Sequence, residues 1–304
     1  MNTMLQRNTG TYIIHPLTRI GRVALVVNNL QVQLDFYREV LNLKVHWQAA
    51  SEAGLGAGGE DFLHLIEKPT ARRYPRTSGL YHFAVLFPNQ CDLAQAIARL
   101  FTLRYPNYPT DHIMTKTTYL NDPEGNGIEL YAESPEDGYW TLAEGHYITR
   151  RKDGSLSSGR EPLDVEKLLS LLSPDDNPEN PLPSETRIGH IHLHVGNLDL
   201  AVDFYHRLLG FDLMGQDQSI RMAFVSAGGY HHHIGLNTWQ GEGAPPPPAN
   251  AAGLQYYSIQ LPEREELEQL KRHLIHNSVP IHEVDNGFMV RDPSQNQILL
   301  TAAR

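Results

Sequence analysis

Two stretches of this chain are copies of each other. Arg19-Ile-Gly-Arg-Val-Ala-Leu-Val-Val-Asn-Asn-Leu30 aligns with Arg187-Ile-Gly-His-Ile-His-Leu-His-Val-Gly-Asn-Leu198, and the match runs on through Asp35-Phe36-Tyr37 and Asp203-Phe204-Tyr205. Between 19–45 and 187–213, 11 of 27 positions are identical at one ungapped offset. Such a repeat restricts the fold more than composition does, because each copy must be one structural unit.

Each half divides again. Gly79–Phe87 reads as a strand, and Leu93, Ile97 and Leu100 then keep helical spacing; Gly253–Leu261 followed by Leu267, Leu270 and Leu274 repeats the pattern. In the first and third modules the helix faces are Leu30, Leu34, Tyr37, Leu41 and Leu198, Val202, Tyr205, Leu209. Short β-type runs follow the helices, among them Phe62–Ile66, Thr117–Leu120, Ile128–Tyr131, Met222–Val225 and Ile298–Thr301. The pattern is strand, helix, three strands, four times over. It predicts an α+β chain of four βαβββ modules, with a first pair over 1–133 and a second over 186–304. The segment 134–185 is rich in Pro, Asp, Asn and Gly and breaks the pattern. It reads as a linker with one short helix near Asp164–Leu172. Gly243-Ala-Pro-Pro-Pro-Pro-Ala is a second, extended break.

With 304 residues the chain is long enough for two domains. Its formal charge of −10 argues against nucleic acid and anionic membranes as partners. No apolar run is long enough to span a bilayer, and the N-terminus lacks a basic-then-apolar leader. One cysteine, Cys91, rules out an internal disulfide and fits a reducing compartment. These features together predict a cytoplasmic protein. They leave homo-oligomer formation open.

The run from His112 to Glu129 holds the densest chemistry. It places an imidazole, a phenol (Tyr119) and a carboxylate around the turn Asp122-Pro-Glu-Gly-Asn126. The turn sets Tyr119 on one strand and Glu129 on the next. A diluted copy, Asp292-Pro-Ser-Gln-Asn296, recurs near the C-terminus without the carboxylate.

Four βαβββ modules in two tandem halves resemble the vicinal oxygen chelate superfamily, which includes glyoxalases, bleomycin-resistance proteins and extradiol dioxygenases. The resemblance covers nearly all of the chain outside the linker. It implies cup-shaped mixed sheets, with metal ligands drawn from the first and last strand of each module. On first strands this sequence offers Arg22, His82, His190 and Tyr256; on last strands, His64, Glu129, Gly235 and Leu299. Pairing modules within halves gives one cup with Arg22, His64, His82 and Glu129. Pairing the second module with the third gives a cup with His82, Glu129, His190 and Gly235. The second arrangement gathers the good ligands and leaves positions open for substrate and O₂. Two histidines and a carboxylate form the facial triad suited to Fe(II), with Mn(II) compatible.

The His112–Glu129 run also resembles the extradiol ring-cleavage signature. His112, Tyr119, Asp122, Pro123, Gly125 and Glu129 fall at its spacings. Thr118 departs from the apolar residue that signature expects. The run also sits in the second module, where two-domain members carry it in the fourth; the resemblance is therefore to the catechol 2,3-dioxygenase-like branch. It implies His82, Glu129 and His190 as metal ligands, His112 as acid/base and Tyr119 as a hydrogen-bond partner of the substrate oxygens. In the run Tyr230-His-His-His-Ile-Gly235, strand alternation puts His231, His233 and Gly235 on one face. His233 then sits one step from the metal position, as a substrate-binding or metal-supporting residue.

The implied function is an Fe(II)-dependent extradiol dioxygenase acting on a catechol or hydroquinone with O₂, as in aromatic-hydrocarbon catabolism. The alternatives are a glyoxalase-like isomerase or lyase and a non-enzymatic binder of aromatic compounds. The first would need a carboxylate where Gly235 stands. The second would have no use for His112, Tyr119 and a full ligand set.

Overall fold

The computed structural model describes residues 12–303, so the expectation of no N-terminal leader falls outside the described range. The first module comprises β1 (Arg19–Val27), α1 (Leu30–Asp35), β2 (Lys44–Gln48), β3 (Glu52–Gly56) and β4 (Asp61–Glu67). The second comprises β5 (Gly79–Leu86), α2 (Gln90–Thr102), β6 (Tyr108–Asp111), β7 (Thr115–Asn121) and β8 (Gly127–Glu133). Between the halves lie β9 (Gly138–Ala143), β10 (His146–Arg151), β11 (Leu156–Ser157), β12 (Glu161–Pro162) and α3 (Val165–Leu169). The third module is β13 (Arg187–His194), α4 (Leu198–Val202), β14 (Asp212–Asp217), β15 (Met222–Ser226) and β16 (Ile234–Asn237). The fourth is β17 (Gly253–Leu261), α5 (Arg264–His276), β18 (His282–Val284), β19 (Gly287–Arg291) and β20 (Gln297–Ala302). The expected α+β order of strand, helix and three strands is present four times. Among the described residues no helix is long and apolar enough to cross a membrane.

The helices form where the apolar spacing places them. Asn29, Asn89 and Asn197 each cap a helix by accepting a backbone N–H three residues on. Leu93, Ile97 and Leu100 of α2 and Leu267, Leu270 and Leu274 of α5 are buried. Each such side chain contributes roughly 1.5–3 kcal/mol by leaving water. Helices α1 and α4 differ from simple 3.6-residue periodicity. Both widen into a π-helical turn, Phe36–Val40 and Asp203–Leu208, in which Leu41 and Leu209 donate to the carbonyls of Phe36 and Phe204.

The chain divides into two compact units. Unit I takes the described residues up to Val26, Ala71–Tyr81 and the chain from Gly189 onward; unit II takes Val27–Thr70 and His82–Ile188. In unit II, β5 pairs parallel with β8, and β7, β6 and β12 follow antiparallel. A second sheet has the order β4–β3–β2 and a third β11–β10–β9. In unit I, β17 pairs parallel with β20 and antiparallel with β1, while β19 and β18 extend the far edge. Its other sheet has the order β13–β16–β15–β14, with β13 and β16 parallel. The parallel pairs join the first and last strands of one module, which requires the helical crossover between them.

The stretch 134–185 is more than a connection with a short helix. It builds the β9–β10–β11 sheet, and β12 adds to the edge of β6 through Glu161↔Asp111 and Pro162↔Thr110. Local composition hid this, because β9, β10 and β11 are set among turn-forming residues and β12 needs a partner in the second module.

One buried hydrogen bond occurs twice. In unit II, Tyr37 Oη donates to Asp122 Oδ2 at 3.0 Å; in unit I, Tyr205 Oη donates to Asp292 Oδ2 at 3.0 Å. Each aspartate also accepts from the backbone of its own turn and from the Asn126 or Asn296 amide at 2.7 and 2.8 Å. Gly125 takes φ +81° in the first turn, and Gln295 takes φ +68° at the same place in the second. A glutamine there costs about 1 kcal/mol relative to glycine, so the rest of the turn holds the shape.

Burial pushes the Asp292 carboxyl up from 3.8 to about 6 and outweighs the hydrogen bonds that oppose it. The folded chain therefore binds this proton more tightly than the unfolded chain. Its contribution is full below the unfolded value and is lost as pH rises from about 4 to about 6, by roughly 3 kcal/mol. Urea unfolding of the wild type between pH 4.5 and 7 should show this slope. Asp292→Asn should flatten it; equal slopes in the two proteins would refute the assignment.

Candidate active site

The eight positions expected on first and last strands all lie there. Arg22, His82, His190 and Tyr256 are on β1, β5, β13 and β17; His64, Glu129, Gly235 and Leu299 are on β4, β8, β16 and β20.

In unit II the parallel pairing of β5 with β8 sets His82 beside Gly127 and Ala84 beside Glu129. His82 Nε2 then lies 3.1 Å from Glu129 Oε2, with both side chains buried. A buried carboxylate is costly unless it meets a proton or a cation. Two lone-pair donors converging at this distance have the chemistry of a divalent-metal site. In the β7–β8 hairpin Tyr119 stands directly opposite Glu129, as the turn implied. The Tyr119 ring centroid is 5.6 Å from that of His82.

His112 lies between β6 and β7. Its Nδ1 is 2.5 Å from the carbonyl oxygen of Gly159, and its Nε2 is 2.8 Å from Tyr119 Oη. A carbonyl can only accept, so Nδ1 holds the proton and Nε2 receives the Tyr119 hydroxyl. His112 is thus held between a carbonyl and a phenol, with Nε2 facing Tyr119 beside the His82–Glu129 pair. Gly159 was not foreseen. Any residue has a carbonyl, and only the β12–β6 pairing brings this one to His112.

Asp122, another residue of the signature, works structurally. It is buried and hydrogen-bonded as described, and burial raises its carboxyl above the usual range. Glu124 is structural too: its carboxylate accepts the N–H groups of Asn28 and Asn29 ahead of α1. Ser294 does the equivalent for Gly196 in unit I.

His64, the ligand of the alternative arrangement, pairs with Glu52 at 2.8 Å and packs edge-on against Trp47. That gives it a local role at the module-one sheet.

In unit I, His190 is 2% exposed and is the fourth residue of β13, as His82 is of β5. Its ring is 4.2 Å from His232 and 6.1 Å from His231, centroid to centroid. His233 takes backbone partners from both neighbouring strands, donating to the Val225 carbonyl and accepting from Ile191 N, each at 3.0 Å. β16 is regular from Ile234, and residues 231 and 232 form the bend ahead of it. His233 Nδ1 accepts from Ala227 N at 3.2 Å and lies 2.9 Å from Ser226 Oγ, and its ring packs near Tyr230 and Phe211. It anchors the turn that presents His231 and His232. Gly235 stands opposite His192 on β13. A Cβ at 235 would come within 2.8 Å of the His192 ring. A glutamate cannot be accommodated at this fourth position without moving that ring.

A family model described as the Glyoxalase/Bleomycin resistance protein/Dioxygenase superfamily matches residues 19–130 and 187–300, blocks that begin where the internal copies begin. The chain is similar to a catechol-2,3-dioxygenase of Bacillus subtilis (strain 168), with 41% identity over 283 residues, 92% of this chain and 95% of that one. It is similar to biphenyl-2,3-diol 1,2-dioxygenase 3 of Rhodococcus globerulus at 28% identity over 121 residues, covering 38% and 64% of the two chains. Among solved structures, a crystal structure from Bacillus subtilis subsp. subtilis str. 168 superimposes with a TM-score of 0.64 at 14% identity, covering 96% and 86%. Glyoxalase I from Zea mays gives 0.51 at 14%, covering 94% and 92%. At these identities the structures speak to fold alone.

Gly159 has φ +69°, and a Cβ there would meet Thr149 Oγ1 at 2.5 Å. Gly159→Ala should therefore displace the carbonyl that fixes the His112 tautomer. The ¹⁵N shifts of the His112 ring should change from an Nδ1-protonated to an averaged pattern, with a lowered Tm. An unchanged ring spectrum would show that the carbonyl does not set the tautomer.

Proposed function

Because the chain belongs to the glyoxalase/bleomycin resistance/dioxygenase superfamily, in its catechol 2,3-dioxygenase-like branch, we propose that it is an Fe(II)-dependent extradiol dioxygenase that opens the ring of a catechol or hydroquinone with O₂. The observation behind this reading is the hydrogen-bonded His112–Tyr119 pair set beside the buried His82–Glu129 pair.

In this reading His82, Glu129 and His190 hold the metal. His190 enters by its equivalence to His82, since each is the fourth residue of a module's first strand and each is buried. Fe(II), when bound, supplies adjacent positions for two substrate oxygens and O₂ and a path for electrons between them. The protein supplies the rest. Tyr119 hydrogen-bonds a substrate oxygen, accepts its proton and passes its own to His112 Nε2. Gly159 stabilises the resulting imidazolium through Nδ1–H, as an acceptor aligned before the reaction begins. The proton returns to the ring-opened product, so the pair ends the turnover as it began. His233 acts by positioning, holding the His231–His232 turn through Ser226 and Ala227.

The glyoxalase-like reading lacks support at the fourth ligand position, where the His192 ring lies against Gly235. The reading as a mere binder leaves the His112–Tyr119 pair unexplained. The small partners are a dihydroxylated aromatic and O₂, in the breakdown of aromatic compounds. In this reading a ferrous centre suits a reducing compartment, which supports a cytoplasmic location.

Anaerobic loading with Fe(II), addition of a catechol and hydroquinone panel, and admission of air should give O₂ uptake and a yellow ring-opened product. Failure across the panel would overturn the reading. Glu129→Ala and His190→Ala should lose iron and activity together; undiminished iron in His190→Ala would favour the His64 arrangement. His112→Phe should keep its iron and lose about 10²–10⁴-fold in kcat.

A further inference from the structure

The turn ahead of β16 brings a second set of ligands together. One ring nitrogen from each of His190, His231 and His232 lies within 4.8 Å of the others. The arrangement is built rather than loose. His231 and His232 pack edge to face at 4.6 Å, and the His232 ring stacks on Phe224 of β15 at 4.3 Å and 28°. His231 lies against Tyr230 at 4.1 Å. The turn is pinned at both ends, by Tyr230 N donating to the Ala227 carbonyl and by His233 Nδ1 accepting from Ala227 N. Gly228 and Gly229, at φ +63° and +79°, supply the left-handed residues that the turn needs.

We propose that His190, His231 and His232 form a second metal-binding set, taking a borderline-soft divalent ion such as Zn(II) and excluding Fe(II) by occupying His190. Three neutral imidazoles without a carboxylate suit zinc, copper and nickel, whereas two imidazoles and a carboxylate suit iron and manganese. His190 cannot ligate both ions, so the two sets are alternatives. The all-histidine set stands on unit I geometry alone; its competition with iron rests on the reading given under Proposed function. The consequence is an enzyme that zinc silences at His190, with the half-buried His231 and His232 as the deciding ligands.

The test uses the full chain, freed of metal by chelation, with zinc as the probe. Glu129→Ala, which disables the iron set, should still bind one Zn(II), read by competition with a chromophoric chelator. Cobalt should give the intense visible bands of a four-coordinate, nitrogen-rich site. Adding His231→Gln and His232→Gln to Glu129→Ala should weaken zinc binding by about a hundredfold and bleach the cobalt bands, with circular dichroism unchanged. Wild type in excess zinc should bind one ion rather than two at His190. The proposal is overturned if Glu129→Ala binds no zinc while folded, or if loss of His231 and His232 leaves the affinity unchanged. It is also overturned if wild type holds zinc and iron together. Zinc binding is measured without turnover, so a failure of the dioxygenase reading would leave these results interpretable.

Discussion

The buried Tyr–Asp hydrogen bond is the interaction on which each pair of modules depends. It ties the helix of one module (Tyr37, Tyr205) to the last hairpin of the next (Asp122, Asp292), across 85 and 87 residues of sequence. The aspartate serves both sides. It closes its own turn through backbone N–H groups and the Asn126 or Asn296 amide, and it accepts the phenol from the helix. A buried carboxylate with this many donors is specific but costly, and burial raises both aspartates despite the bonds they accept. The π-helical turn that contains Tyr37 or Tyr205 occurs in both copies. This accounts for the survival of Asp-Phe-Tyr in both halves while the strand residues around it diverged.

The same hairpin then does different work in the two units. In unit II its register sets Tyr119 opposite Glu129; in unit I it sets Met289 opposite Leu299. The backbone is the same and the chemistry is not. A phenol and a carboxylate became two apolar side chains, while the aspartate, the turn and the register persisted. The Asp-Pro element of the signature is therefore a folding device. It also fixes the hairpin register that sets Glu129 opposite Tyr119.

Much of this was legible because it depends on period and spacing. The four modules, the buried helix faces and the facing of Tyr119 and Glu129 follow from residues that are local to one element or one turn. What escaped did so for different reasons. Strands β9 to β11 pair locally but are set among turn-forming residues, and β12 gains its hydrogen bonds from β6, far back along the chain. The carbonyl of Gly159 has no side-chain signature at all. His231 and His232 look like alternating strand residues, yet the turn at Gly228 and Gly229 leaves them in the bend ahead of the regular strand. Alternation holds only where a strand is already paired.

The carboxylate is the decisive difference between the proposed ligand sets. Histidines are abundant around His190, so imidazole alone cannot select iron. Glu129 can, because it adds an anionic oxygen donor that zinc and copper need less than iron or manganese do. Its position is fixed by β8 and by the Asp122 turn. Gly235 keeps a second carboxylate out, since the space a side chain would need is filled by His192. Under the proposed reading the metal preference follows from one hairpin register in unit II and one glycine in unit I.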